Sequence, residues 1–299
     1  ALVWIIIGLN IRSIEDSAKF QVISTFLKLL PLFFIIFLGA TNISLENIPE
    51  FNPTELHPFA VLATTTTLVM WSFIGIETAT VPAENFIDPK KTIPRVLIAS
   101  VITILVIYIL VSIAISLIVP ANELIKSSAP FALAATKILG VSGGAIITIG
   151  ALISTVGSLN ANALTAGNIA FAAARDNLLP NKFLNTSKNG TPVFAFLITG
   201  VSASILLLMN YTKGMVAAFT FMAMLSTLST LLAYALCAIT DMIYTNNDGP
   251  NKNKTLALIM SFATLIYSLF TIWGAGAQII YSGLILILLG MPIYFYMSR

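Results

Sequence analysis

The sequence predicts an all-α integral membrane protein, and three observations support this fold class. Hydrophobic residues make up 58% of the 299 residues, above the roughly 45–50% of soluble domains. Charged residues make up only 9%, against about 25% in soluble domains, and they cluster between long apolar stretches. Because only the helix satisfies its own backbone amides in hydrocarbon without closing a barrel, these stretches predict membrane-spanning helices.

The composition also excludes several classes of function. The net charge of +3 is small, and the sequence lacks the basic stripe with interleaved aromatic residues that nucleic-acid binding requires. A single cysteine, Cys237, and a single histidine, His57, leave little for metal ligation or a catalytic triad. We therefore predict no cofactor, no metal and no enzyme. We interpret Cys237 as a core residue and His57 as the cap of the following helix.

A spanning helix needs about 20 mostly apolar residues. The opening stretch, 1–10, is about half that length and predicts an incomplete crossing, so we expect the chain to be part of a longer protein. Eight longer stretches predict spanning helices: 18–39, 58–86, 94–119, 140–174, 191–209, 214–244, 255–274 and 277–297. Together they predict one multi-pass membrane domain over residues 1–299.

The distribution of basic residues predicts an orientation for these helices. If the opening stretch exits to the cytoplasm, alternate loops place most Lys and Arg side chains inside and only Lys126, Lys137 and Lys213 outside. Cytoplasmic loops carry an excess of these residues, so this orientation is the expected one.

Two of the predicted spans contain a charged residue in hydrocarbon, where it is costly and usually functional. In 58–86, Gly75 is followed by Glu77, which predicts a broken helix with freed backbone groups at 72–75 and a proton-binding carboxylate. The alternative is a kinked helix whose Glu is satisfied by nearby hydroxyls. Lys28 lies about ten residues into its span and suits proton coupling; the alternative is a lysine that only faces a water-filled cavity.

Polar and small residues mark two further spans. The span 140–174 holds glycines at positions 143, 144, 150, 157 and 167 together with Asn160 and Asn162, which predict close helix packing or the lining of a polar cavity. Four hydroxyl side chains lie close together in the span 214–244. They are expected either to line a substrate pathway or to hydrogen-bond to the backbone of their own helix: Ser226, Thr227, Ser229 and Thr230.

Six motifs, in a fixed order, carry a resemblance to a known family. They are Trp71-Ser-Phe-Ile-Gly-Ile-Glu-Thr-Ala-Thr and Asn85-Phe-Ile-Asp-Pro-Lys-Lys-Thr-Ile-Pro-Arg, followed by Ser127-Ser-Ala-Pro-Phe, Gly157-Ser-Leu-Asn, Ala173-Ala-Arg-Asp-Asn-Leu-Leu-Pro and Gly190-Thr-Pro-Val. This order closely resembles the amino acid/polyamine/organocation permeases, near their basic amino acid/polyamine antiporters and proton-coupled permeases. The resemblance implies part of a five-plus-five inverted-repeat fold, from the end of the fourth helix to the twelfth.

The resemblance also implies roles for single residues. Trp71 is similar to the aromatic gate over the substrate, Gly75 to the helix break and Glu77 to the proton-responsive carboxylate, with Ser72 and Ile74 beside the break. Lys28 is similar to the lysine of proton-coupled members. Two further substrate-site positions are implied. Asn162 falls where an arginine/agmatine antiporter of the family has a stacking tryptophan, so strict arginine/agmatine exchange is not expected, and Ser226 falls where it has a serine.

We therefore expect secondary active transport of amino acids, including basic amino acids or polyamines, by alternating access in the inner cell membrane. Proton-coupled symport and antiport both remain open, as does a homodimer. The expected partners are the substrate, protons and the lipid bilayer, without nucleic acid. The alternative is an inactive remnant or non-transporting membrane subunit.

Overall fold

The computed structural model describes residues 1–12, 14–42, 44–48, 56–80, 86–187, 190–209, 214–247 and 254–297. Helices dominate these ranges, which confirms the all-α prediction. The α-helices are α1 (Leu2–Arg12), α2 (Ile14–Thr41), α3 (Pro58–Trp71), α4 (Pro89–Ile118), α5 (Ala121–Leu124), α6 (Pro130–Arg175), α7 (Val193–Met209), α8 (Met215–Asn247), α9 (Lys254–Gly274) and α10 (Ala277–Met297). Short 3-10 helices cover Leu45–Asn47, Ile76–Thr80 and Asn181–Leu184.

Seven helical segments of the described chain are long and apolar enough to cross a membrane. They correspond to α2, α3 with the turn that follows it, α4, α6, α8, α9 and α10. The predicted span 191–209 folds as the 17-residue α7, and the opening stretch folds as the 11-residue α1, so both are shorter apolar helices. Residues 81–85 of the predicted span 58–86, and Lys213, lie outside the described residues.

Proline and glycine set several helix limits. Pro58, Pro89 and Pro130 each occupy the first turn of a helix, where the missing amide has no intrahelical partner to lose. Helix α6 begins ten residues before the predicted span, and Gly140 interrupts it with a non-helical φ of 69°. The predicted start at residue 140 therefore coincides with a kink, because only glycine adopts such a backbone conformation without strain.

His57 caps α3, as predicted. Its Nδ1 accepts a hydrogen bond of 3.3 Å from the amide of Phe59, which satisfies one of the free donors at the helix start. The interpretation of Cys237 as a core residue is wrong, because its side chain is exposed on α8. A cysteine at the surface of a spanning helix needs no burial in protein, since lipid also solvates a weakly polar thiol.

The chain divides into two compact units, and each is described by itself. Unit 1 comprises Ala1–Pro53, Gly75–Asn210 and Tyr294–Arg299, and unit 2 comprises Thr54–Ile74 and Tyr211–Ile293. The single domain over residues 1–299 stays a prediction.

Unit 1 is built around the long helix α6. Side chains of α2, α4 and α6 form its largest apolar cluster, which includes Ile35, Val111 and Ile147. A second cluster joins α1 and α6 to α7 through Ile7 and Phe196.

Helices α2 and α6 of unit 1 approach each other closely at two points. A Cβ atom on Gly157 would lie 2.6 Å from Oγ of Ser24, and one on Gly150 would overlap Cγ of Pro31. Both pairs are separated by seven residues on their helices, in opposite directions. The two helices therefore lie antiparallel, with glycine permitting close approach at both points.

Unit 2 packs α3, α8, α9 and α10 together. Its apolar cluster includes Leu225 and Leu228 of α8 and Ile279 of α10. Thr67 of α3 donates a hydrogen bond of 2.8 Å to the carbonyl of Thr271 in α9, and a Cβ atom on Gly274 would overlap the carbonyl of Ala63. Small and hydroxyl side chains thus bring α3 and α9 into direct contact.

Candidate functional site

The predicted helix break is present at the end of α3. The α-helix ends at Trp71, and the amides of Ser72, Phe73 and Ile74 each donate to the carbonyl three residues earlier, in a tighter 3-10 pattern. Gly75 then takes a φ of 107°, which side-chain-bearing residues rarely adopt. The chain continues as the 3-10 helix Ile76–Thr80. The glycine therefore ends the helix because its backbone turns the chain out of the helical path.

Glu77 stabilises this break through the backbone. Its Oε2 accepts a hydrogen bond of 2.9 Å from the amide of Gly75, while Oγ1 of Thr78 donates to the Gly75 carbonyl at 2.6 Å. Both backbone groups of Gly75 are thus satisfied locally, and Glu77 is half-buried. The donor to Oε2 of Glu77 is thus a backbone amide and not a Ser or Thr hydroxyl.

Two backbone N–H groups beside this turn have no acceptor among the described residues. Among the described residues, the amides of Ile76 and Glu77 donate to no acceptor, because the tightened turn before them ends at Ile74. Unpaired amides at the start of a helical segment favour negative charge. The local backbone therefore offers donors to an anionic group from outside the chain.

The sequence-predicted site residues fall in both units. Gly75, Glu77, Lys28 and Asn162 belong to unit 1, and Trp71, Ser72, Ile74 and Ser226 belong to unit 2.

Trp71 is the last residue of α3 and stands against another aromatic ring. Its ring lies 5.0 Å from that of Phe219 on α8, in an edge-to-face arrangement at 84°. Trp71 is 38% exposed, so one face of the indole is held while the rest is accessible. Such pairs add to the packing energy of the rings and fix their orientation.

Lys28 lies on the α6-facing side of α2. It follows Ser24 by four residues and precedes Pro31 by three, and both of those residues meet glycines of α6. The side chain is half-buried, and no carboxylate oxygen of the described residues lies within 4 Å of its Nζ. Unit 1 thus holds an ammonium group in a tight helix interface without a neighbouring counter-ion in the described part of the chain.

The two asparagines of α6 have different environments. Asn160 is fully buried: its Oδ1 accepts from Nδ2 of Asn10 at 3.0 Å and from Oγ of Ser17 at 2.9 Å. Its Nδ2 donates to the Ser17 carbonyl at 3.2 Å and to Oε1 of Gln21 at 3.4 Å. Asn160 therefore ties α6 to α1 and α2, which is a structural role.

Asn162, by contrast, is exposed, and its Nδ2 donates only to the Ser158 carbonyl of its own helix at 2.9 Å. Sequence reasoning grouped it with Asn160 and did not identify Asn10 and Ser17 as partners. The polar Asn10 at the end of an apolar stretch was the available signal for that cluster.

Three of the four hydroxyl side chains considered on α8 are hydrogen-bonded to their own helix. Thr227, Ser229 and Thr230 donate to the carbonyls four residues earlier at 2.9–3.2 Å. Ser226 is exposed and makes no hydrogen bond through its side chain within the described residues. Of the four positions, Ser226 is therefore the one whose hydroxyl is available to another molecule.

Membrane-spanning helices, a glycine break held by a carboxylate and a half-buried lysine are features of membrane permeases. The sequence model for amino acid permeases matches residues 1–283. The chain therefore belongs to the amino acid permease family, which confirms the resemblance seen in its motifs.

Individual relatives include the putrescine transporter PotE of Haemophilus influenzae, 26% identical over 83% of this chain. The putrescine transporter PotE of Escherichia coli is 25% identical over 83% of the chain, and the putative amino-acid transporter CPE0389 of Clostridium perfringens is 24% identical over 98%. The matches cover 58%, 56% and 64% of these relatives, so the chain spans somewhat more than half of their length.

Proposed function

We propose that this chain forms part of a secondary transporter that moves an amino acid or a polyamine across the inner cell membrane by alternating access. The family membership and the names of the relatives support transport as the class of function. The substrate range includes basic amino acids and diamines, because two of the similar proteins are named putrescine transporters.

The observation that carries the proposal is the hydrogen bond between the Glu77 carboxylate and the Gly75 amide at the helix break. As a carboxylate, Oε2 is a charged acceptor, and bonds to such acceptors are roughly twice as strong as neutral ones. Protonation removes this charge and weakens the bond. Proton binding at Glu77 therefore changes the stability of the turn that ends α3, which couples a proton to the conformation of the break.

The substrate role follows from donors and rings near the break and on α8. We propose that the amides of Ile76 and Glu77 bind the carboxylate of an amino acid substrate, and that Gly75 lets the substrate approach the backbone. Trp71 closes over the substrate as a gate, with Ser72, Ile74, Asn162 and Ser226 contributing further contacts.

Lys28 is proposed as the second coupling group. Its side chain is half-buried, and no carboxylate oxygen of the described residues lies within 4 Å of its Nζ. In this proposal the lysine takes part in proton coupling during the transport cycle. Symport and antiport both use such a step, and a homodimer is compatible with either.

The test is the pH dependence of transport by the intact protein in proteoliposomes, with Glu77→Gln. Glutamine keeps an oxygen acceptor for the Gly75 amide but cannot titrate, so we expect uptake to persist with a flat pH profile. Glu123→Gln is the matched control, because Glu123 is exposed and paired with Lys137 at 2.8 Å. A Glu77→Gln profile that follows the wild type would overturn the coupling role.

The same vesicles separate the two transport modes. Uptake of labelled putrescine or lysine that requires the same compound preloaded inside indicates exchange, and uptake driven by a proton gradient alone indicates symport. Uptake of neither compound in either arrangement would contradict the proposed substrate range.

A further inference from the structure

A cleft between α8 and α9 in unit 2 has no part in the proposed transport mechanism. Its volume is about 310 Å³, and polar side chains of both helices line it. Tyr234, Cys237 and Asp241 contribute from α8, and Ser261 and Thr264 contribute from α9. The cleft thus gathers a carboxylate, hydroxyl groups and a thiol at the surface of two spanning helices.

Asp241 is the charged group of this cleft, and it is incompletely paired. Ser261, which is almost fully buried, donates a short hydrogen bond to Oδ2 of Asp241. No Lys or Arg nitrogen of the described residues lies within 4 Å of the Asp241 carboxylate. Lys254, at the start of α9, has its Nζ bonded to the carbonyl of Asn246 at 2.8 Å. The second carboxylate oxygen therefore has no cation of the described chain beside it.

Asp241 is exposed near the end of α8, where a molecule from outside the chain can reach it. Asp241 lies six residues before the end of α8 at Asn247, and Ser261 lies seven residues after the start of α9 at Lys254. At about 1.5 Å per residue, both lie about 10 Å from the helix ends. A carboxylate at this position without a cation of the described chain beside it attracts a positively charged group.

The remaining lining favours an organic cation over a metal ion. One carboxylate and one thiol are too few ligands for a hard divalent cation, which takes about six oxygen atoms. The volume is at the lower end of small-ligand sites, which begin at about 300 Å³. Ala238 and Met260 form an apolar surface against which the methylene groups of an organic cation can pack. The face of the Tyr234 ring attracts a cation.

We propose that this cleft binds a primary alkylammonium group, with the Asp241 carboxylate as its counter-ion. The ammonium donates to Asp241, and the attached methylene groups lie along Met260. Two sources can supply the same chemistry: the headgroup of an aminophospholipid, or a free amine. The proposal does not depend on the transport function, because none of the cleft residues belongs to the proposed transport site.

Chemical labelling of Cys237 can be used to monitor binding at this site. Cys237 is the single cysteine of this sequence, lines the cleft and is exposed, so maleimide labelling that peptide mass spectrometry assigns to Cys237 reports on the cleft. It lies four residues before Asp241 and hence on the same face of α8. A molecule bound to Asp241 will shield the thiol.

The experiment measures the rate of Cys237 labelling in the intact protein in phosphatidylcholine vesicles. Butylammonium should slow the labelling, and butanol, which has the same chain without charge, should not. In Asp241→Asn we expect the apparent affinity of this protection to fall about tenfold, the loss expected from one charge-assisted hydrogen bond. The control is Asp176→Asn, which removes an exposed acid of unit 1. In this variant butylammonium should slow Cys237 labelling as much as in the wild type. For each variant, the labelling rate without butylammonium is divided by the rate with it. These ratios are compared between variants, because removing the carboxylate also alters the reactivity of the thiol.

Vesicles that contain phosphatidylethanolamine distinguish the two sources. Slow labelling there without added amine supports the lipid headgroup, and unchanged labelling there with protection by butylammonium supports a free amine. Equal protection by butanol, equal protection in Asp241→Asn or no protection in any vesicle overturns the proposal. If Asp241→Asn does not fold, the wild-type comparison of butylammonium with butanol decides alone. If Cys237 does not react with maleimide, equilibrium binding of labelled butylammonium is measured instead. The proposal then requires that Asp241→Asn bind one butylammonium fewer per protein than the wild type.

Discussion

Replacing Asn160 by alanine tests the division of roles between the two asparagines of α6. The substitution removes four hydrogen bonds to α1 and α2: those with Nδ2 of Asn10, Oγ of Ser17, the Ser17 carbonyl and Oε1 of Gln21. Hydrogen bonds between membrane helices contribute about 0.6 kcal/mol each on average. The loss is therefore about 2 kcal/mol, to which the void adds, and it corresponds to about a 30-fold shift in the unfolding equilibrium.

Asn162→Ala is the matched control, two residues further along the same helix. Its side chain is exposed and bonds only to the carbonyl of Ser158, so we expect its free energy of unfolding to change by less than about 0.5 kcal/mol. The assay is equilibrium unfolding in mixed detergent micelles, followed by tryptophan fluorescence. Transport measured beside it should show the opposite pattern, with Asn162→Ala affecting substrate KM.

A double substitution isolates the pair. Because each single change already removes the hydrogen bond between Asn10 and Asn160, Asn10→Ala combined with Asn160→Ala should cost less than the sum of the two single changes. The reasoning is refuted if Asn160→Ala unfolds like the wild type, or if Asn162→Ala destabilises the protein as much as Asn160→Ala does.

Two further predictions concern helix contacts. Gly150→Ala should destabilise unit 1 by about 1–3 kcal/mol in the same unfolding assay, because its Cβ would overlap Pro31, whereas Gly290→Ala, with open space around it, should be neutral or stabilising. Equal effects of the two substitutions would contradict the close contact. His57→Ala should lower stability by about 0.5–1 kcal/mol through loss of the cap on Phe59, while transport continues. Loss of all transport in that variant would instead give His57 a direct role.

Much of the fold could be predicted from the sequence, because hydropathy and helix breakers are local signals. The break at Gly75 and the cap at His57 are examples, since each depends on residues within a few positions. The start of α6 was misplaced by ten residues, because Gly140 kinks the helix instead of ending it.

The site was harder to predict, because its partners are distant in the sequence. Asn160 meets Asn10 and Ser17 across 150 and 143 residues, and no pattern within α6 indicates which of its two asparagines turns inward. The bond from the Gly75 amide to Glu77 depends on a backbone conformation that the sequence permits but does not specify. The cleft beside Asp241 likewise requires the pairing of α8 with α9 to be known.

The contact of α2 with α6 limits how this part of the molecule can move. Gly150 and Gly157 leave room for Pro31 and Ser24 at two points about 10 Å apart along α6. A sliding motion along the axis would drive both side chains into helical backbone at once. Displacement of α2 along α6 is therefore sterically opposed at two positions on the same pair of helices.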